Sequence, residues 1–325
     1  MKALVTGAAG FIGSHFVRML LDPAQDGERH TVTAVDSLTY AGNRENLAPV
    51  RDHPGLRFEQ ADVRDAALLD RLVAGHDTVV HFAAESHVDR SIDGARDFVL
   101  TNVLGTQSVL DAALRHGARV VYVSTDEVYG SIATGSWPEE HPLRPNSPYA
   151  ASKASGDLLA QAYHRTHGLD VRITRCSNNY GPYQYPEKII PLFVTNLLRG
   201  LTVPLYGDGM NARDWLHVDD HCRGILLALR HGRPGEVYNI GGGTELTNRE
   251  LTDLLLKACG AGPERIEYVA DRKGHDRRYS VDWSKARREL GYEPRRDFTA
   301  GLAETVRWYR ENSTWWEPLL RRPAR

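Results

Sequence analysis

Apolar residues fall along the first half of this chain in two alternating rhythms. Short runs rich in Val, Ile and Thr occupy residues 2–6, 31–35, 78–82, 120–124 and 171–174. They lack polar alternation, the pattern of strands buried on both faces. Between them, residues 13–21, 66–73, 97–116 and 149–167 place apolar side chains three and four positions apart, which predicts helices. Strands and helices in alternation require right-handed crossovers and a parallel sheet covered on both faces. The expected fold class is α/β, built on a doubly wound parallel sheet.

The rhythm breaks near residue 179. Residues 180–186 (Tyr-Gly-Pro-Tyr-Gln-Tyr-Pro) carry loop chemistry. Beyond them the pattern predicts a helix over 188–199, a short strand and helix over 215–230, a strand over 237–240 and a helix over 247–258. Thr247, with Glu250 three positions later, reads as a capping box. The organisation expected is a Rossmann-like domain over 1–178 with a return segment at about 214–241. A smaller, mixed α/β substrate domain then takes 179–213 and 242–325, ending in a frayed tail at 321–325.

Composition narrows the function classes. Forty Lys and Arg against forty-two Asp and Glu leave a formal charge of −2, so neither nucleic acid nor an anionic membrane is an expected partner. Any cations that bind an anion must be local. No apolar run approaches the roughly 18 residues of a membrane span. The first residues run straight into a strand and a glycine turn, without the look of a signal peptide. Cys176, Cys222 and Cys259 have no metal-ligand spacing, and an odd count suits a reducing cytoplasm.

Gly7-Ala8-Ala9-Gly10-Phe11-Ile12-Gly13 follows the first strand and opens the first helix. Gly7 permits the tight turn, Gly10 lets backbone approach a pyrophosphate, and Gly13 allows close helix–strand packing. The helix N-terminus offers unpaired N–H groups to the phosphates. Asp36 ends the second strand 23 residues after Gly13, where a carboxylate accepts hydrogen bonds from a ribose and repels a 2′-phosphate. NAD is the cofactor this pattern favours over NADP. Asp62 and Val63 are expected to border the adenine.

Tyr149 and Lys153 stand four apart on one helical face, and Thr125-Asp126-Glu127 begins 24 residues upstream at the end of a strand. That edge is where open α/β sheets bind ligands. A tyrosine of ordinary pKa near 10 is a poor base at neutral pH. A nearby ammonium and a cationic nicotinamide stabilise the phenolate, which can then take a hydroxyl proton while hydride leaves the same carbon.

These motifs resemble the extended short-chain dehydrogenase/reductase family. The match tightens to the dTDP-glucose 4,6-dehydratases through residues 81–91 (His-Phe-Ala-Ala-Glu-Ser-His-Val-Asp-Arg-Ser), 36–43, 125–127, 186–191 and 271–276. It runs from Met1 to about Trp316, although the loop from Gly130 to Pro148 is shorter than in many bacterial relatives. The resemblance implies oxidation of glucose C4 by bound NAD, elimination of water across C5–C6, and return of the hydride to C6. It makes Tyr149 the base at C4, held with Thr125 on the C4 hydroxyl, and gives Lys153 the tuning of Tyr149 and the nicotinamide ribose. Glu127 takes and later returns the C5 proton, and Asp126 protonates the departing C6 hydroxyl. Two adjacent carboxyls with opposite duties need environments that push their pKa values apart.

By the same resemblance the cofactor also meets Ser37, Leu38, Thr39, Phe82, Ala83, Ala84, Ser86, Thr101 and Asn179. Ser86 and Thr125 meet the sugar region of dTDP-glucose, Asn178 and Arg213 its phosphates, and His87 also binds the substrate. Lys188, Ile189, Pro204, Tyr206, Asn248, Arg272 and His275 line the nucleotide pocket. A homodimer is implied as well, and the helices over 97–116 and 149–167 carry apolar residues on more than one face.

Three rival readings stay open on the residues alone. A nucleotide-sugar 4-epimerase shares the glycine turn, Asp36, Tyr149 and Lys153 but needs no acid/base pair, since it never eliminates water. A 4,6-dehydratase of another nucleotide sugar, such as UDP-glucose, shares everything but the base pocket. A non-catalytic NAD sensor needs no intact set at Thr125, Asp126, Glu127, Tyr149 and Lys153. His217 and His221 lack the glutamate of a zinc-protease helix, so no metal is expected, and Trp315-Trp316 reads as an anchor for the last helix.

Overall fold

The computed structural model describes residues 1–22, 24 and 28–321. Residues 322–325, most of the expected tail, lie outside that set. Seven parallel strands form the main sheet: β1 (Lys2–Thr6), β2 (Thr31–Asp36), β3 (Leu56–Gln60), β4 (Thr78–His81), β5 (Arg119–Thr125), β6 (Val171–Cys176) and β10 (Val237–Ile240). Their order is β10-β6-β5-β4-β1-β2-β3, so the chain reverses direction of winding at β1. The crevice at such a reversal is the expected ligand site of a doubly wound sheet.

Each face of the sheet carries its own core. Phe16, Val17 and Leu20 of the Phe11–Leu21 helix meet Ile225 and Leu229 of the Val218–His231 helix on one side. On the other, Leu69, Val73, Leu110 and Ala160 pack from the helices Ala66–Val73, Thr106–His116 and Pro148–His167. Strand β3 was not among the apolar runs, because an edge strand alternating Arg57 and Glu59 with half-buried neighbours gives no buried-strand signal.

The second lobe has two small sheets. β7 (Asn178–Tyr180), β9 (Ala212–His217) and β11 (Glu245–Thr247) make one, in the order β11-β9-β7. β8 (Val203–Tyr206) and β12 (Ile266–Val269) pair in parallel in the other. Their shared core draws on Phe193, Leu251, Leu255, Leu302, Val306 and Tyr309. The Asn248–Cys259 helix begins with the expected box, in which the Thr247 hydroxyl accepts from Glu250 N–H and the Glu250 carboxylate accepts from Thr247 N–H. Trp315 donates to Asn46 Oδ1 at 2.9 Å and Trp316 to Tyr309 O at 2.7 Å, pinning the Ser313–Leu320 helix.

One predicted helix is interrupted. Residues 97–116 form the short helix Arg96–Val99, a widened turn over Leu100–Gly105, and then Thr106–His116. The wide turn places Thr101 on a cleft wall and lets Asn102 hold both the N–H and the C=O of Glu85, at 2.8 and 2.9 Å. Such widened turns recur at functional sites. Among the described residues no helix is long and apolar enough to cross a membrane.

Gly156 marks where the Pro148–His167 helix presses on β5. A Cβ there would lie 2.1 Å from Tyr122 Oη and 2.6 Å from its Cζ. Gly156→Ala is therefore expected to destabilise the fold by about 1–3 kcal/mol despite alanine's better helix propensity, read as a lower urea midpoint.

Candidate active site

A cleft of about 580 Å³ opens at the carboxyl edge of the main sheet, walled on its other side by the second lobe. Its floor begins at the glycine turn. Gly7 takes φ of 67°, and a Cβ on it would lie 2.6 Å from Ala83 N. A Cβ on Gly13 would fall 2.2 Å from Gly7 O, so helix and turn touch backbone to backbone. Asp36 accepts N–H bonds from Ala9 at Oδ2 and Leu38 at Oδ1, both at 2.8 Å, which ties the end of β2 to the turn. Burial raises the Asp36 pKa while those backbone donors oppose the rise. A carboxylate oxygen has room for a second donor, so ribose hydroxyls can still bind. The bare glycine cradle, the helix N-terminus and this acid fit a dinucleotide.

The chemistry-bearing residues sit at the end of β5. Thr125 closes the strand and a tight turn, Asp126–Tyr129, follows at once. The Thr125 hydroxyl accepts from Glu127 N–H and donates to Asp126 Oδ1, each at 3.3 Å. Opposite stands the Pro148–His167 helix, whose N-terminus is capped by Ser147 accepting from Ala150 N–H at 3.1 Å. Tyr149 and Lys153 are both buried on its inner face. Lys153 Nζ donates to Val123 O at 2.7 Å and lies 4.3 Å from the centre of the Tyr122 ring.

Electrostatics separate the two carboxyls. Burial, then Glu127 and Asp214, push Asp126 well above the ordinary carboxylate range, against the opposing charge of Arg213. Burial also raises Glu127, but Lys188, Arg213 and Arg272 all pull it back toward the ionised form. The expected lowering of Tyr149 by Lys153 is not what the protein groups produce. Burial and the Glu127 charge push the phenol well above its usual value, and Thr125 hydrogen bonding is what opposes them. The Lys153 ammonium is instead directed to the β5 carbonyl and the Tyr122 face, and burial brings its pKa down to about 8.

Every residue assigned from the sequence to cofactor, substrate or catalysis lies on this cleft wall except Leu38. Leu38 adopts φ of 55° and serves the turn through its N–H on Asp36. On the second lobe, Arg213 donates to Ala212 O and Asp276 O at 2.7 and 2.9 Å and stacks 4.2 Å over Tyr279. Lys188 donates to Ser86 O at 2.7 Å, Arg272 pairs with Asp89 at 3.2 Å, and His275 with Asp271 at 2.6 Å. Asp62 pairs with Arg64 at 2.6 Å on the rim. His221 meets Asn179 Oδ1 at 2.8 Å through Nδ1, and His217 lies 3.5 Å from Asp219. Asn178 Oδ1, Asp126 Oδ2 and His87 Nδ1 are buried polar atoms of wall residues with no hydrogen-bond partner among the described residues.

Several wall residues escaped the sequence reading, Glu85, Glu187, Trp215 and Tyr279 among them. Glu187 had a signal, since it adjoins Lys188 and accepts from Tyr40 Oη at 3.0 Å across the cleft. Tyr279 had none, because only the fold brings it beneath Arg213.

The family profile described as GDP-mannose 4,6 dehydratase matches residues 4–305. A dTDP-glucose 4,6-dehydratase of Streptomyces antibioticus is 65% identical over 327 residues, which is 100% of this chain and 97% of that protein. A crystal structure of the dTDP-glucose 4,6-dehydratase of Streptomyces venezuelae with NAD bound superposes at a TM-score of 0.97, with 67% identity and 98% and 100% of the two chains covered. The UDP-glucose 4-epimerase of Thermotoga maritima shares the fold at a TM-score of 0.88 but only 33% identity, over 96% of this chain and 100% of that one.

A lysine whose folded pKa is lowered to about 8 destabilises the fold below that pH and is relieved as pH rises toward its unfolded value of 10.5. Relative to Lys153→Met, the unaltered chain is expected to gain about 2 kcal/mol of stability between pH 7.5 and 9.5, measured by urea denaturation at both.

Proposed function

The chain belongs to the dTDP-glucose 4,6-dehydratase family, and from that membership and the cleft geometry we infer that it converts dTDP-D-glucose to dTDP-4-keto-6-deoxy-D-glucose with loss of water. NAD is the cofactor, and when bound it supplies a hydride acceptor that returns what it takes. The observation that carries the reading is the adjacent carboxyl pair, Asp126 and Glu127, set on the same cleft wall as Thr125, Tyr149 and Lys153. An epimerase has no use for such a pair.

In the proposed reaction Tyr149 receives the C4 hydroxyl proton, with Thr125 orienting that hydroxyl. Burial and the Glu127 charge favour the neutral phenol of Tyr149, and a bound cationic nicotinamide would favour its ionisation. Lys153, anchored on Val123 O, would hold the nicotinamide ribose. The C4 ketone acidifies the neighbouring C5 proton, which Glu127 removes while Asp126 gives its proton to the departing C6 hydroxyl. Glu127 then returns the proton to C5. Arg213 and Asn178 hold the pyrophosphate, where a planar guanidinium matches phosphate oxygens in pairs. The base pocket is assigned to Lys188, Ile189, Pro204, Tyr206, Asn248, Arg272 and His275, and the sugar to Ser86 and His87.

The proposal extends to assembly and place. Val99, Leu104 and Leu158 are 52%, 46% and 58% exposed on the helical segments flanking the site, an apolar face suited to a second copy of this chain. Free thiols at Cys176, Cys222 and Cys259 suit the cytoplasm.

With substrate deuterated at C4, the label should appear at C6 of the product; label kept at C4 or lost to water counts against the mechanism. Glu127→Gln is expected to slow dehydration by about 10²–10⁴-fold while C4 oxidation persists. Turnover of UDP-glucose as fast as dTDP-glucose would remove the base assignment. Leu158→Glu should sediment as a folded monomer, whereas the unaltered chain sediments as a dimer.

A further inference from the structure

The proposed reaction asks two rigid pieces of backbone to work on one sugar ring. Tyr149 and Lys153 ride on the Pro148–His167 helix, whereas Asp126 and Glu127 ride on the Asp126–Tyr129 turn. Nothing in the chain connectivity fixes the distance between them, since 18 residues separate Tyr129 from Pro148. Behind the cleft, where Val128 and Tyr129 of the turn pack in one cluster with Ala154 of the helix, one side chain hydrogen-bonds to both pieces. Arg175 of β6 donates through Nε to Asp157 Oδ2 at 2.6 Å and through Nη1 to Tyr129 Oη at 2.7 Å. The same Nη1 reaches Glu139 O at 3.1 Å, which ties in the intervening loop. Tyr129 Oη in turn donates to Asn239 Oδ1 of β10 at 2.9 Å.

Asp157 is one helical turn beyond Lys153 and two beyond Tyr149, so fixing Asp157 fixes the pair. Tyr129 ends the turn that Asp126 begins, so fixing Tyr129 fixes the carboxyls. Arg175 and Asp157 have side-chain exposures of 2% and 0%, and none of the three residues lies on the cleft wall. They therefore touch no substrate. The guanidinium is planar with fixed angles between its N–H groups, a property that an ammonium on a flexible stem lacks.

We propose that Arg175, with Asp157 and Tyr129, is a positioning fork that sets the spacing between the hydride-transfer pair and the elimination pair. The inference rests on the dehydratase reading and adds a division of labour: the fork matters to the step that needs both units in register, the elimination. A displacement of about 1 Å is enough to cost on the order of 10²-fold in such a step.

Tyr129→Phe tests this, because it keeps the ring and removes only the hydroxyl. Expected are a KM for dTDP-glucose within about two-fold of the unaltered enzyme and a kcat lowered about ten- to a hundredfold. In a single turnover the absorbance of reduced nicotinamide should rise at the normal rate and then persist, because elimination has become slow. Arg175→Lys, which keeps the charge but not the fork, should show the same persistence, and supplies a second route should either variant fold poorly. Unchanged kinetics in both variants, or equal slowing of oxidation and elimination, overturns the proposal. Failure of the unaltered chain to dehydrate dTDP-glucose overturns the function reading instead, and is seen in the control before either variant is tested.

Discussion

A buried carboxyl and a half-buried one at the end of β5, facing a buried phenol on the Pro148–His167 helix, are the demand around which this molecule is arranged. An ionised carboxylate taken out of water costs several kcal/mol unless something pairs with it, and a second acid next to it raises that cost. In the Rossmann-like lobe, Lys153 is engaged by Val123 O and the Tyr122 ring rather than by the pair. The charges that draw Glu127 toward ionisation come from Lys188, Arg213 and Arg272, all on the second lobe. That lobe is thus more than a lid over the nucleotide. Its cations oppose the rise that burial gives Glu127, and a chain of net charge −2 must place them locally.

For those cations to act, the lobes must be held in register, and the contacts across the cleft do so. Tyr40 and Arg90 both reach Glu187, at 3.0 and 3.5 Å, and Arg90 also lies 3.8 Å over the Tyr40 ring. Lys188 is tied to Ser86 O and Arg272 to Asp89, so two of the three cations are anchored on the opposite lobe. Behind the glycine turn, Asp219 gathers His15 of the first helix and Arg296 of the loop before Phe298, and these partners hold its pKa below the ordinary carboxylate range. Each tie joins a segment of the first lobe to one of the second, and together they leave little freedom for the cations to drift from Glu127.

Much of this was legible from spacing alone. The glycine turn, Asp36 and the Tyr149–Lys153 pair announce themselves because each depends on local backbone geometry: a turn, a strand end, one helical face. The Thr247–Glu250 cap is legible for the same reason. What spacing could not give were features created by distant parts of the chain. Strand β3 hid because its edge position removes the apolar run, and the widened turn at Leu100–Gly105 hid because its sequence has ordinary helical periodicity. The direction of the Lys153 ammonium, toward a strand carbonyl instead of the Tyr149 phenol, depends on how closely β5 packs under the helix. Gly156 permits that closeness, and a lone glycine in a helix does not disclose its reason.

Arg175 belongs to the same hidden class, and its surroundings separate stability from geometry. A buried ion pair adds little to stability relative to apolar side chains of similar volume, because desolvation consumes most of the attraction. The space between β6, the Pro148–His167 helix and the Asp126–Tyr129 turn could be filled as tightly by leucine or methionine. Apolar packing, however, resists compression without specifying direction, and neighbouring elements can slide past one another by fractions of an ångström at little cost. Hydrogen bonds from one planar group to Asp157 and Tyr129 resist sliding as well, because displacement of either partner bends a bond away from its preferred angle. Among the described residues Asp157 Oδ1 has no hydrogen-bond partner, so the hydrogen bonding that compensates for burying that acid runs through Arg175, with the Lys153 charge nearby. A network that is costly to bury and exacting in angle is poorly suited to holding a core together and well suited to holding two working parts at a set distance.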